Sequence, residues 1–176
     1  MKQIFLTKRF WIIFWGTVLL FVISAFFSGL FFIAVIALFV LTGLALTETV
    51  LLFSSGKIIV NRLLPEKFSN GNENEVRICF DNKYLFFTNL KIYEDYPVQF
   101  QIRDNFFSVK LNAGENTILK YELRPVKRGE YVFGSVNTLA ATKFGLISRI
   151  FRSNKGQTVA VYPSFMQMRR FEFLLS

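Results

Sequence analysis

Phe10-Trp-Ile-Ile-Phe-Trp-Gly-Thr-Val-Leu-Leu-Phe-Val-Ile-Ser-Ala-Phe-Phe27, then Ser28-Gly29, then Leu30-Phe-Phe-Ile-Ala-Val-Ile-Ala-Leu-Phe-Val-Leu-Thr-Gly-Leu-Ala-Leu46 form some three dozen residues without a charged side chain. A helix crossing the hydrocarbon core of a bilayer needs about 20 apolar residues. The run is too long for one straight span and suits two short ones. Ser24 and Ser28-Gly29 lie near its middle, where small residues permit a turn between antiparallel helices. A soluble core helix would carry a polar stripe, and none is present. The reading is a transmembrane hairpin, with helix 1 over 10–27 and helix 2 over 30–53. A cleaved signal peptide would need a small-x-small site before Ser28, and Ala25-Phe26-Phe27 is a poor one.

Flanking charges orient the hairpin. Lys2, Lys8 and Arg9 lie in a basic N-terminus, 1–9, and Lys57 and Arg62 follow helix 2, while the connecting turn carries no charge. Lys and Arg concentrate on the cytoplasmic side, so both ends are expected inside, at the bacterial inner membrane. Glu48, the lone acid of this region, is expected at the membrane interface and not as a buried proton carrier, because an acid at the bilayer centre is costly.

From Lys57 the period changes to two. Val76, Ile78 and Phe80 alternate with Arg77 and Cys79; Leu90 and Ile92 alternate with Lys91 and Tyr93. Val98, Phe100 and Ile102, and then Leu119, Tyr121 and Leu123, alternate in the same way. Side chains on a strand point to opposite faces in turn, so each segment offers one face to a core. Ile58–Leu63, Phe107–Leu111, Tyr131–Leu139, Leu146–Phe151 and Thr158–Tyr162 are further expected strands. Turn residues separate them at Asn70-Gly71-Asn72, Asp81-Asn82-Lys83, Asp104-Asn105, Asn112-Ala113-Gly114-Glu115 and Ser153-Asn154-Lys155-Gly156. Seven to nine short strands at this spacing predict an antiparallel, immunoglobulin-like β-sandwich over 57–163. Tyr84-Leu85-Phe86-Phe87 reads as a buried core strand, with an exposed patch as the other reading. The segment 164–176, with Phe171, Phe173, Leu174 and Leu175, reads as a linker or helix leading towards a further C-terminal domain.

The chemistry-bearing residue types are sparse. The chain has no histidine, which removes the commonest general base and metal ligand, and its single Cys79 allows no intrachain disulfide or Cys-rich zinc site. No phosphate-binding glycine loop occurs. Asp81 and Asp104 read as turn caps, and the adjacent Glu94-Asp95 are too few ligands for a cation cage. No catalytic, cofactor or metal site is assigned, and the expectation is a non-enzyme. The net charge is +9, with 18 basic against 11 acidic side chains from residue 57 onward, a balance of +7. These bases are scattered singly among acids, so attraction to an anionic inner leaflet is the simpler reading, and nucleic acid is not an expected partner.

Arg124-Pro-Val-Lys-Arg128-Gly129-Glu-Tyr131-Val-Phe133-Gly134 stands out. Pro125 ends a strand, Gly129 permits a tight turn, and Tyr131 and Phe133 share one face of the next strand. Arg128 is expected to clamp a carboxylate within the domain. Arg128-Gly129-x-Tyr131-x-Phe133-Gly134, then Phe144-Gly145-Leu146, then Val161-Tyr162-Pro163, resemble the amino-terminal half of domain-of-unknown-function family 58 proteins, bacterial membrane proteins that open with two apolar helices. Those proteins continue into a von Willebrand factor A-like domain, which this sequence lacks, so no metal ligands carry over. The resemblance implies association with MoxR-type AAA+ ATPases and von Willebrand factor A-like proteins in assembly or maturation of other proteins. The resulting expectation is a membrane-anchored, non-catalytic interaction module. An outward-facing structural sandwich of the cell envelope is the alternative.

Overall fold

The computed structural model describes residues 4–27, 29–54, 56–102, 106–153 and 156–163. Ser28, the Asp104-Asn105 turn, Asn154-Lys155 and the 164–176 segment lie outside the described residues.

Two helices stand at the amino-terminal end, α1 over Lys8–Ser24 and α2 over Leu30–Ser54. Helix α1 starts two residues before the expected Phe10 because Thr7 caps it, its hydroxyl accepting from Phe10 N at 3.4 Å. It ends at Ser24, short of the expected residue 27. The helices pack against each other, with Phe21 edge-on to Phe31 at 6.2 Å. Among the described residues, α2 is the one helix long and apolar enough to cross a membrane by length and composition.

The remainder is an all-β sandwich. Its strands are β1 (Ile4–Leu6), β2 (Ile58–Leu63), β3 (Lys67–Ser69), β4 (Asn74–Asn82), β5 (Thr88–Glu94), β6 (Phe106–Leu111), β7 (Asn116–Leu123), β8 (Gly129–Phe133), β9 (Val136–Ala141), β10 (Ile147–Ser153) and β11 (Gln157–Tyr162). They form a five-stranded sheet in the order β1-β10-β9-β5-β6 and three-stranded sheets β2-β4-β7 and β3-β11-β8. Every pairing is antiparallel except β3 with β11. Strand β1 comes from the segment expected to be only a basic flank, and it pairs Leu6 with Ile147 at the edge of the large sheet.

Two apolar clusters hold these layers. In the first, Ile58, Val60, Ile78 and Phe80 of the β2-β4-β7 sheet meet Leu90, Ile92, Leu111, Val136, Ala140 and Ile147 of the five-stranded sheet. Leu41 and Leu52 of α2 join the same cluster, with Phe10 and Phe14 of α1 packed against it, so sandwich and helices share one core. The second gathers Phe68, Val76, Leu123, Tyr131, Phe133, Val159 and Val161 beneath β3-β11-β8. Each fully buried Phe, Ile or Leu contributes about 1.5–3 kcal/mol of transfer free energy.

Three expected elements differ. The single strand over Tyr131–Leu139 is two, β8 and β9, broken at Gly134-Ser135 so that its halves join different sheets. Val98–Phe100 is a short 3-10 helix with Val98 86% exposed, not a strand. Pro97 precedes it and Gln101 ends it in the left-handed region at φ 52°. The Tyr84–Phe87 run is a bend: Tyr84 is buried and Leu85 is 86% exposed.

Candidate functional site

Glu48, expected at the membrane interface, is 2% exposed, sealed between α2 and the loop that joins β9 to β10. Oε1 accepts from Gly145 N at 3.0 Å and from the Thr142 hydroxyl; Oε2 accepts from Leu146 N and Ile147 N, each at 2.9 Å. Gly145 sits at φ 68°, a left-handed conformation that side chains rarely adopt, and this turns three successive N–H groups towards one point. The carbonyl side of the loop is tied to the start of α1. Thr7 donates through its hydroxyl to Gly145 O at 2.5 Å and through its N–H to Leu146 O at 3.0 Å, and Arg9 Nη1 donates to Phe144 O at 3.2 Å. The Phe144-Gly145-Leu146 motif is therefore gripped by both helices at once.

One turn further along α2, Arg149 of β10 does the reverse. Its Nη1 donates to Leu52 O at 2.5 Å, and Tyr84 Oη donates to the same carbonyl at 2.7 Å. A cation on the last carbonyls of a helix matches the negative end of its dipole. The guanidinium lies over the rings of Phe53 and Phe151 at 4.7 and 4.6 Å. Burial pushes the Tyr84 phenol above its ordinary pKa, against the pull of Arg149.

A second polar centre crosses the sandwich interior. Arg62 of β2 pairs with Glu94 of β5 at 3.0 Å, both side chains fully buried. Arg62 also donates to Gln157 Oε1 and Gly134 O, each at 3.0 Å, and its guanidinium lies 4.9 Å from the Phe133 ring centroid. Tyr121 donates to Glu94 Oε2 at 2.5 Å. Burial raises the Glu94 carboxyl above the usual carboxylate range, opposed by Tyr121 and Arg62. Burial and the Glu94 charge raise Tyr96 and Tyr121 well above the ordinary phenol value.

Of the residues singled out in sequence, Arg128 is exposed and pairs with no carboxylate among the described residues; the internal clamp is Arg62–Glu94. Gly129, at φ 133°, makes the tight turn, and Tyr131 and Phe133 are both buried on one face of β8, as expected. Tyr131 Oη donates to Lys127 O at 2.9 Å, closing that turn. Gly134 donates to Asp95 O at 2.8 Å, and a Cβ there would collide with the Asp95 side chain. Leu146 is in the core, Tyr162 is half exposed under Lys67 Nζ at 5.0 Å from its ring, and Pro163 follows β11. Glu94, which with Asp95 offers too few ligands for a cation, is committed to Arg62. Asp81 pairs with Lys83 at 2.8 Å. Among the described residues no group of three Cys, Asp or Glu side chains could hold a metal ion. Cys79 is a free thiol, half-buried on β4.

No protein-family model matches the chain, and no curated protein does. Among solved structures it is similar to the CARDB domain of a Pyrococcus furiosus protein solved in complex with di-metal ions, at 14% identity and TM-score 0.41, covering 64% of this chain and 97% of that one. It is also similar to a PapD-like domain of human CEP192, at 10% identity and TM-score 0.45, covering 62% and 88%. A β-glucosidase from Listeria innocua matches at 14% identity and TM-score 0.36, covering 62% of this chain and 16% of the enzyme. Likeness at this level carries no function to the chain.

Proposed function

We propose that this chain is a membrane-anchored, non-catalytic interaction module: α1 and α2 form a transmembrane hairpin in the bacterial inner membrane, and the sandwich is held rigidly beneath it in the cytoplasm. The observation that carries the reading is the Glu48 cradle, with four hydrogen bonds from the start of β10 and the loop before it to a helix that is otherwise uncharged. Above Glu48, the eighteen residues Leu30–Thr47 rise about 27 Å, close to the ~30 Å hydrocarbon core. Apart from the face with Ala34 and Leu41, their apolar side chains, Phe32 and Phe39 among them, are largely exposed, which suits lipid and not water. Both helix ends that meet the sandwich are on one side, as a hairpin requires. The buried chemistry-bearing groups Glu48, Arg149, Arg62, Glu94 and Tyr121 are spent on one another and on backbone, which supports a binding role over catalysis.

The resemblance of the Arg128–Gly134, Phe144–Leu146 and Val161–Pro163 motifs to domain-of-unknown-function family 58 suggests the partner class: a MoxR-type AAA+ ATPase, with von Willebrand factor A-like proteins. Gly129, Tyr131, Gly134, Gly145 and Leu146 build the fold in this reading, so the partner meets surface shaped by them. The test has two parts. Intact source cells treated with a membrane-impermeant thiol reagent should leave Cys79 unlabelled, while opened cells and a denatured control label it. Labelling in intact cells would place the sandwich outside and favour an envelope structural role. The chain in lipid nanodiscs should bind the source organism's MoxR-type ATPase saturably; no binding up to the solubility limit would remove that partner.

A further inference from the structure

The same geometry points to a lipid-headgroup contact on the sandwich itself: the Lys143-Phe144 tip of the β9–β10 loop sits in the headgroup layer, Phe144 entering the acyl boundary and Lys143 with Arg9 holding anionic phosphate. This rests on the membrane reading above.

The argument is one of level along α2. Gly145, Leu146 and Ile147 bond Glu48, and Arg149 bonds Leu52, four residues later on the helix. Four helical residues rise about 6 Å, close to the advance of two strand residues, so β10 runs down α2 away from the apolar span. The loop residues preceding Gly145 are then the part of the sandwich nearest the bilayer. Phe144 is there, its carbonyl bonded to Arg9 at the foot of α1, and its ring is 63% exposed beside an exposed Lys143. An exposed Phe next to the first turn of a lipid-facing helix continues the same apolar surface. Trp11 and Trp15, both exposed, lie within two turns of Arg9 and mark the interfacial belt. Arg9 uses one nitrogen on Phe144 O and keeps the rest of its guanidinium fork for phosphate. Basic residues around an aromatic tip complement anionic lipid and not an apolar protein groove.

The test uses the full chain with Cys79→Ser and one environment-sensitive label, at Phe144→Cys, at Phe39→Cys on α2, or at Val126→Cys. Val126 follows β7, whose Leu123 pairs with Asn74, the end of β4 remote from Ile58 and α2. Each variant is placed in phosphatidylcholine vesicles and in equal parts phosphatidylcholine and phosphatidylglycerol, with nitroxide quenchers near the headgroup or near the acyl terminus. The inference expects strong quenching at 144 by the shallow nitroxide, at a depth of about 5–10 Å in the headgroup–acyl boundary, deep quenching at 39, and none at 126. Adding Lys143→Glu should move the 144 label outward in the mixed vesicles only. Quenching at 39 with a 144 label as wet as 126 overturns the loop contact and leaves the hairpin standing. An unquenched 39 label overturns the membrane reading and this inference with it. A Lys143→Glu shift that is the same in both vesicles overturns the anionic-headgroup assignment.

Discussion

Replacing Glu48 by Gln or Ala tests whether the sandwich hangs on α2 through one carboxylate. Four donors converge on it, three of them backbone N–H groups; Gly145 N also reaches the Thr142 hydroxyl, at a longer 3.4 Å. A buried donor left without its acceptor costs about 1–3 kcal/mol, so three give a gross loss of ~3–9 kcal/mol. The loop has an exposed side at Lys143 and Phe144 through which water reaches a loosened backbone, which places the expected loss near the low end, about 3 kcal/mol. Glutamine is a partial rescue: its carbonyl oxygen serves Leu146 N and Ile147 N, and its NH2 donates to the Thr142 hydroxyl but faces the Gly145 N–H. Alanine should therefore cost the full amount and glutamine clearly less. The assay is hydrogen exchange by mass spectrometry on the full chain in nanodiscs. A loss of ~3 kcal/mol raises amide exchange at Gly145, Leu146 and Ile147 about 150-fold, with the last turn of α2 following and the Arg62–Glu94 region unchanged. Exchange at those three amides within about threefold of the unmodified chain would refute the claim that Glu48 anchors the loop.

Four further outcomes follow from the same contacts. Arg62→Met or Glu94→Leu alone should lower sandwich stability by about 3–5 kcal/mol by stranding a buried charge, and the double substitution should recover much of that; chemical denaturation of all three variants measures it. Tyr84, Tyr96 and Tyr121 are raised above their ordinary value of 10.0 chiefly by burial. The native state then keeps protons that the unfolded chain releases, so stability is full below pH ~10 and falls above it by up to about 1.4 kcal/mol per pH unit per tyrosine. Tyr121→Phe should remove one such contribution from the slope of stability against alkaline pH, whatever it does to the absolute value. Gly145→Ala should cost about 1–2 kcal/mol for the left-handed backbone, read as a lower thermal midpoint. Phe144→Ser, by contrast, should leave the midpoint measured in detergent, with no bilayer to enter, unchanged, since its side chain packs on no protein core.

How far the fold could be read in advance depends on the range of the cause. The absence of charge over Phe10–Leu46 and the alternation of β4, β5, β7 and β11 are local properties, and they located those elements. The division between β8 and β9 shows in the sequence only as a change of parity, from Tyr131 and Phe133 inward to Val136 and Ala140 inward; at the break the Asp95 backbone accepts the Gly134 N–H from nearly forty residues away. Val98–Ile102 failed differently. The period was right, but Pro97 ahead of it was the local signal that deserved more weight.

The two buried polar centres were closer to legible than they first look. Ile58, Val60 and Arg62 occupy one face of β2, and Leu90, Ile92 and Glu94 one face of β5. Parity alone therefore carries an arginine and a glutamate to the inward sides of strands whose apolar residues share a core. A buried charge is tolerated only when paired, so opposite charges in those positions imply each other. Glu48 obeys the same rule without offering the partner: a lone acid in a long apolar helix demands compensation, yet its donors are backbone N–H groups some hundred residues downstream, which no side-chain pattern announces. What does announce them is Gly145, a glycine directly before Leu146 at the head of an expected strand, where a positive φ gathers consecutive N–H groups into an anion-binding concavity. An orphan buried carboxylate and an unexplained glycine turn are thus a pair to be sought together.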